Sequence, residues 1–118
     1  MGIITVKLKV SNPKKKNKTL EKDFLVDSGA QYTVLPENDW KKLDIQPTKV
    51  QSFGLADGRV IKRKIGWAFL EYENNSGYSP VVLGKKNDSN LLGVVTLEMM
   101  GLALDPFQRK IYKAKLLL

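Results

Sequence analysis

The sequence has no cysteine and no histidine, and these two absences remove most of the familiar catalytic chemistries. Without thiols there is no disulfide framework and no thiolate metal site. A cysteine-free chain suits a reducing compartment, and a cytoplasmic location is the expectation. Without imidazole, Ser-His-Asp and Cys-His catalysis are impossible, as are histidine-based zinc centres. No apolar run approaches the roughly 20 residues of a membrane-spanning helix, so no membrane partner is expected. Residues 1–7 reach lysine too early to read as a secretory signal. What remains for catalysis is carboxylates, lysines, hydroxyls and backbone amides. Of these, carboxylates are the usual choice for acid–base work when histidine is missing.

With 118 residues, 42% of them hydrophobic and 27% charged, the chain is sized and composed for one globular domain, taken as residues 1–118. The net charge of +8 reflects 20 basic against 12 acidic residues. Lys14, Lys15, Lys16 and Lys18 concentrate much of that excess in a polar stretch with Asn12, Pro13 and Asn17. Such a run reads as the solvated tip of a hairpin. A nucleic-acid site would add stacking aromatics or a wider basic face. Neither accompanies this run, so a nucleic-acid partner is not expected.

Val6, Leu8 and Val10 alternate with Lys7 and Lys9, the period-2 mark of a strand with one wet face. Phe24, Leu25 and Val26 form a continuous apolar run suited to a strand covered on both sides. Asp27-Ser28-Gly29-Ala30 interrupts it, and residues 32–35 resume as a strand. Pro36 fits the first position of a short helix, with Glu37 and Asp39 at its positive end and Lys41 and Lys42 at its negative end. Trp40 and Leu43 are expected to face the core. A hairpin follows, with strands at residues 50–55 and 60–65 around Ala56-Asp57-Gly58-Arg59. Asp-Gly there marks a turn whose central residues both tolerate positive φ. Strands are predicted at residues 67–72 and 79–83, split by a turn at residues 74–77, with Trp67 in the core. Leu91-Leu92-Gly93 reads as a short strand, residues 95–100 as a helix capped by Gly101, and residues 110–118 as a last strand. Many short strands with one or two short helices make an all-β fold, a small closed or folded barrel.

Seven aspartates are present, but only Asp27 has an apolar strand before it and Ser-Gly-Ala after it. Burying a carboxylate is costly unless hydrogen bonds or a shared proton compensate. An aspartate at the end of Phe24-Leu25-Val26 therefore implies a use or a strong partner. Ser28 can hydrogen-bond within a tight turn, Gly29 permits close approach of backbone and substrate, and Ala30 leaves room. The bare tripeptide suits a turn or capping aspartate better; the wider pattern decides. Val26-Asp27-Ser28-Gly29-Ala30-Gln31-Tyr32-Thr33-Val34-Leu35-Pro36 resembles the active-site segment of the retropepsin-like aspartic proteases. Leu91-Leu92-Gly93, a helix and Gly101-Leu102-Ala103-Leu104-Asp105-Pro106 resemble that family's second signature. Between them lies a hairpin where the family has its flap. Leu55-Ala56-Asp57-Gly58-Arg59 is similar to the hairpin of the single-domain cellular and microbial members. The resemblance spans nearly the whole chain, in order.

The resemblance implies an aspartic endopeptidase that needs no metal or organic cofactor. In such a site two carboxylates about 3 Å apart share one proton, so one acts as base on water while the other polarises the peptide carbonyl. This chain has a single Asp-Ser-Gly. The implied partner is a second copy, in a homodimer where Asp27 meets Asp27 across a two-fold axis. The Ser28 hydroxyl is implied to bond across that axis, and Gly29 to offer its backbone to substrate, with Ala30 completing the loop. Leu55, Ala56, Asp57 and Gly58 are the implied flap, closing over an extended polypeptide.

The sequence departs from the viral members in lacking their glycine-rich flap tip. Gln31 and Val94 also stand where many of them carry an acidic residue and an arginine, so that ion pair is missing as a whole. Residues 3–6 and 116–118 are expected either to interleave across the dimer or to stay within the chain. Three terminal leucines mildly favour an interface. The alternative reading keeps the fold without the chemistry, as a non-catalytic dimeric domain that binds peptides or serves as a scaffold.

Overall fold

The computed structural model describes residues 4–118; Ile3, expected near the dimer contact, lies outside the described residues. β1 (Ile4–Ser11) and β2 (Thr19–Val26) form an antiparallel hairpin, Ile4 opposite Val26 and Ser11 opposite Thr19. Leu8 and Val10 are buried while Lys7 and Lys9 are exposed, as the alternation requires. The lysines Lys14, Lys15, Lys16 and Lys18 stand exposed at the hairpin's tip. Asn12 anchors that tip from beneath. Its side-chain amide donates to the carbonyls of Leu43 and Asp44 at 2.9 and 3.0 Å, and its Oδ1 accepts from the backbone of Lys14 and Lys15.

β3 (Thr33–Leu35) leads into α1 (Glu37–Lys42). Pro36 precedes the helix instead of opening it: its backbone is extended (ψ 161°), and its carbonyl accepts from Asp39 and Trp40. Leu43 is buried, and Trp40 packs against the core with its Nε1 donating to the Gly84 carbonyl at 2.8 Å. The long hairpin is β4 (Lys49–Gly54) and β5 (Val60–Tyr72), followed by β6 (Asn75–Leu83).

Two expectations about glycine fail here for the same reason. β5 runs unbroken through Gly66, where a side chain would lie 2.7 Å from the Ile45 methyl. The turn between β5 and β6 falls at Glu73 and Asn74, since Tyr72 pairs with Asn75, and Gly77 lies inside β6. A side chain at Gly77 would run into the Met99 backbone. Both glycines are there for close packing, not for a turn. Trp67 differs too: it lies between buried Gly66 and Ala68, points outward, and is 44% exposed.

The chain ends with β7 (Leu91–Leu92), α2 (Val94–Met99), β8 (Leu102–Asp105) and β9 (Lys110–Lys113). Gly101, at φ 75°, ends α2 in the left-handed conformation that glycine favours. The last strand is shorter than expected, stopping at Lys113 and leaving Leu116, Leu117 and Leu118 exposed. The main sheet has the order β1-β2-β7-β3-β6-β5-β4, and β1 also pairs with β5. Six strands therefore close on themselves, with β4 extending outward beside the first half of β5. Leu8, Phe24, Leu35, Leu70, Val81 and Leu92, one from each strand of that ring, are fully buried at its centre. At the end of β2, Phe24 is buried but Leu25 and Val26 are only half-buried, so that strand is not covered on both sides within one chain. No helix among the described residues is long and apolar enough to cross a membrane.

Candidate active site

β7 lies between β2 and β3, parallel to the first (Val26 opposite Leu92) and antiparallel to the second (Val34 opposite Leu91). Residues 27–32, which join β2 to β3, must therefore cross the end of β7. There they meet the start of α2. The first N–H groups of a helix have no partner inside it. Here the crossing loop supplies them: Val94 donates to the Ala30 carbonyl at 3.0 Å and Val95 to the Gln31 carbonyl at 2.9 Å. Gly93 makes this approach possible, because a side chain there would sit 2.5 Å from the carbonyl oxygen of Gln31.

Beneath the loop lies a chain of buried hydroxyls. Thr33 Oγ1 accepts from the Gly93 backbone at 3.0 Å and bonds to Thr96 Oγ1 at 2.5 Å, which bonds to Ser79 Oγ at 2.9 Å. A buried hydroxyl left unpaired costs more than a made hydrogen bond returns. These three satisfy one another and tie β3, β6 and α2 together. Sequence reasoning missed them, since no spacing connects residues 33, 79 and 96.

Asp27 stands on this platform. Its backbone donates to the Leu92 carbonyl at 3.3 Å, its carbonyl accepts from Ala30 at 3.1 Å, and its Oδ1 accepts from the Gly29 backbone at 2.9 Å. Asp27, Ser28 and Gly29 are exposed, with Ala30 half-buried. Asp27 is therefore not the buried carboxylate that its apolar strand implied; within one chain that carboxylate is Asp39, only 5% exposed. Asp39 has structural partners, accepting from Asn90 Nδ2 at 2.8 Å and facing Lys22 Nζ at 3.6 Å. It fastens α1 to β2 and to the segment before β7.

A cleft of about 650 Å³ opens beside the loop. Gly29, Ala30, Gln31 and Tyr32 line it on one side, and Phe53, Gly54, Ile61 and Arg63 of the β4–β5 hairpin on another. The Tyr32 and Phe53 rings meet edge-on at 5.7 Å and join the two walls. Leu55, Ala56, Asp57 and Gly58 occupy the hairpin tip, beyond these walls. The turn there uses one positive φ, at Gly58 (89°), and not two. Leu55 bonds both ways across it, to Gly58 and to Arg59, which makes a three-residue loop. Asp57 is occupied in that turn, accepting from the Arg59 backbone at 3.0 Å and from its Nε at 2.7 Å. Phe53, Ile61 and Arg63 were not singled out from sequence: Val60 is apolar yet exposed and Arg63 is charged yet half-buried, so no apolar–polar alternation marked the inner face.

A closed sheet, an Asp-Ser-Gly loop crossing a later strand, and a hairpin facing that loop together make a retropepsin-like aspartic protease fold. Residues 15–99 match the gag-polyprotein putative aspartyl protease family, and the chain belongs to it. The match takes in the Asp27 loop, the hairpin and the Gly93 turn into α2. No curated protein matches the sequence.

Proposed function

We propose that the chain is one half of a homodimeric aspartic endopeptidase, in which Asp27 of each copy forms the catalytic pair. The observation that carries this reading is the presentation of Asp27. Its loop is clamped from below, the carboxylate is exposed beside a cleft, and Gly29 holds Oδ1 so that Oδ2 is left to meet a second copy.

Two such carboxylates in contact cannot both ionise, so they share a proton and titrate as a pair. The ionised member takes a proton from water as the water oxygen bonds to the peptide carbonyl carbon. The protonated member gives its proton to the carbonyl oxygen, producing a tetrahedral diol. Collapse returns a proton from a diol hydroxyl to the pair, delivers another to the amide nitrogen, and breaks the C–N bond. Substrate binds as an extended strand between loop and hairpin, with the hairpin closing to exclude water.

The test compares parent and Asp27→Asn on unfolded peptide substrates across pH. Cleavage by the parent is expected to be strongest on the acid side and blocked by a statine-type diol mimic. The asparagine variant should keep its melting temperature and lose about 10²- to 10⁴-fold in rate, the usual worth of a positioned acid–base group. A folded Asp27→Asn protein that cleaves like the parent refutes the assignment.

A further inference from the structure

Two formally charged side chains line the cleft, Arg63 and Asp88, and they differ in how they are occupied. Asp88 turns back on its own loop, with Oδ2 accepting from the Lys85 backbone at 2.7 Å. Arg63 has no carboxylate partner among the described residues, where the ion pairs belong to Lys15, Lys22, Lys41 and Arg59. Its Nη1 donates to the neighbouring Lys62 carbonyl at 3.0 Å. Arg63 is half-buried and shares the inner face of β5 with Ile61, which pairs across the hairpin with Phe53. An otherwise apolar wall therefore presents one guanidinium with no carboxylate at ion-pairing distance among the described residues. That group is a rigid fork of donors matched to a carboxylate by two parallel bonds. The overall charge of +8 draws anionic peptides from a distance, but only a cation inside the cleft can read where along a peptide the acid lies.

Resting on the endopeptidase reading, we propose that Arg63 sets substrate class: extended peptides carrying a glutamate or aspartate close in sequence to an apolar residue. The acid pairs with Arg63 while the apolar side chain packs on Phe53 and Ile61. Selectivity then comes from a cation that is left unpaired until substrate arrives.

The experiment separates this inference from the reading it rests on by measuring binding apart from chemistry. The probes are fluorescein-labelled dodecapeptides with one glutamate moved through each position of an apolar and polar background, plus a matched set with glutamine. Anisotropy titrations use the full chain carrying Asp27→Asn, with and without Arg63→Gln or Arg63→Lys. At one or a few positions glutamate should bind about tenfold tighter than glutamine, about 1.4 kcal/mol. Arg63→Gln should bring the two sets within about twofold, and Arg63→Lys should restore part of the gap. No preference, or one that survives Arg63→Gln, overturns the inference, and so does failure of every peptide to bind. The parent is then assayed for cleavage of the same peptides. Preferential binding without cleavage would remove the protease and leave Arg63 as a recognition residue. Cleavage without preference would do the reverse.

Discussion

At position 93 the side chain is absent because the backbone of residues 31 and 32 occupies its place. Glycine there has an ordinary φ of −98°, so conformation does not demand it; contact does. Gly93→Ala must push the Asp27 loop off the start of α2, and overpacking of this kind costs about 1–3 kcal/mol. Gly54 is the matched control, since a side chain there meets nothing within 4 Å, and Gly54→Ala should stay within about 0.5 kcal/mol of the parent. Urea titration of the two variants checks both; equal losses would mean that the loop yields freely and is not clamped. Asp27-Ser28-Gly29-Ala30 was legible because the motif is contiguous. Thr33, Ser79 and Thr96 were not, because hydroxyls far apart in sequence meet only once β7 has slipped between β2 and β3.

At the scale of elements, patterning located most strands, and its errors have a common origin. A glycine demanded by a neighbour looks the same in sequence as one demanded by a turn, so Gly66 and Gly77 suggested breaks where strands continue. Closure of the sheet through β1 and β5 joins residues some sixty positions apart, which no local period encodes. The contact between the β1–β2 tip and the end of α1 was likewise hidden. There Lys15 pairs with Asp44, and its hydrogen bond and charge hold the Asp44 carboxyl below its ordinary value. A carboxylate whose pKa is lowered by folding stabilises the fold above its unfolded pKa, about 3.9. That contribution is lost as pH falls through the folded value. Lys15→Ala should therefore raise the Asp44 pKa toward the ordinary range, read by carboxyl NMR, and make stability fall less steeply below about pH 4. Both side chains are substantially exposed, so the melting temperature at neutral pH should barely move. An unchanged Asp44 titration would show that the pair does not persist in solution.

For the whole molecule the proposed chemistry turns on where a second aspartate comes from, and the chain's other aspartates are placed elsewhere. Asp39 is buried against Asn90 and Lys22, Asp44 pairs with Lys15, and Asp57 is held by Arg59. Asp88 and Asp105 accept from the backbone of their own turns. Asp23 lies on β2 opposite Lys7, on the wet face of the hairpin. Asp27 is the aspartate set on a clamped loop beside the cleft, so the proposed pair draws its second member from another copy of the chain. The half-buried Leu25 and Val26 and the exposed Leu116 and Leu117 offer apolar surface for such a contact. A mixing experiment separates one chain from two. Parent refolded with an equal amount of Asp27→Asn pairs at random, so about half of the parent chains face an asparagine partner across the two-fold axis. Activity per parent chain should drop to about half, and to about a quarter with a threefold excess of the variant, as active pairs become rarer. Refolding with unlabelled parent in place of the variant sets the baseline, and the decline should follow the mixing ratio and not total protein. If activity per parent chain is indifferent to the variant, hydrolysis proceeds within a single chain and the paired mechanism is wrong.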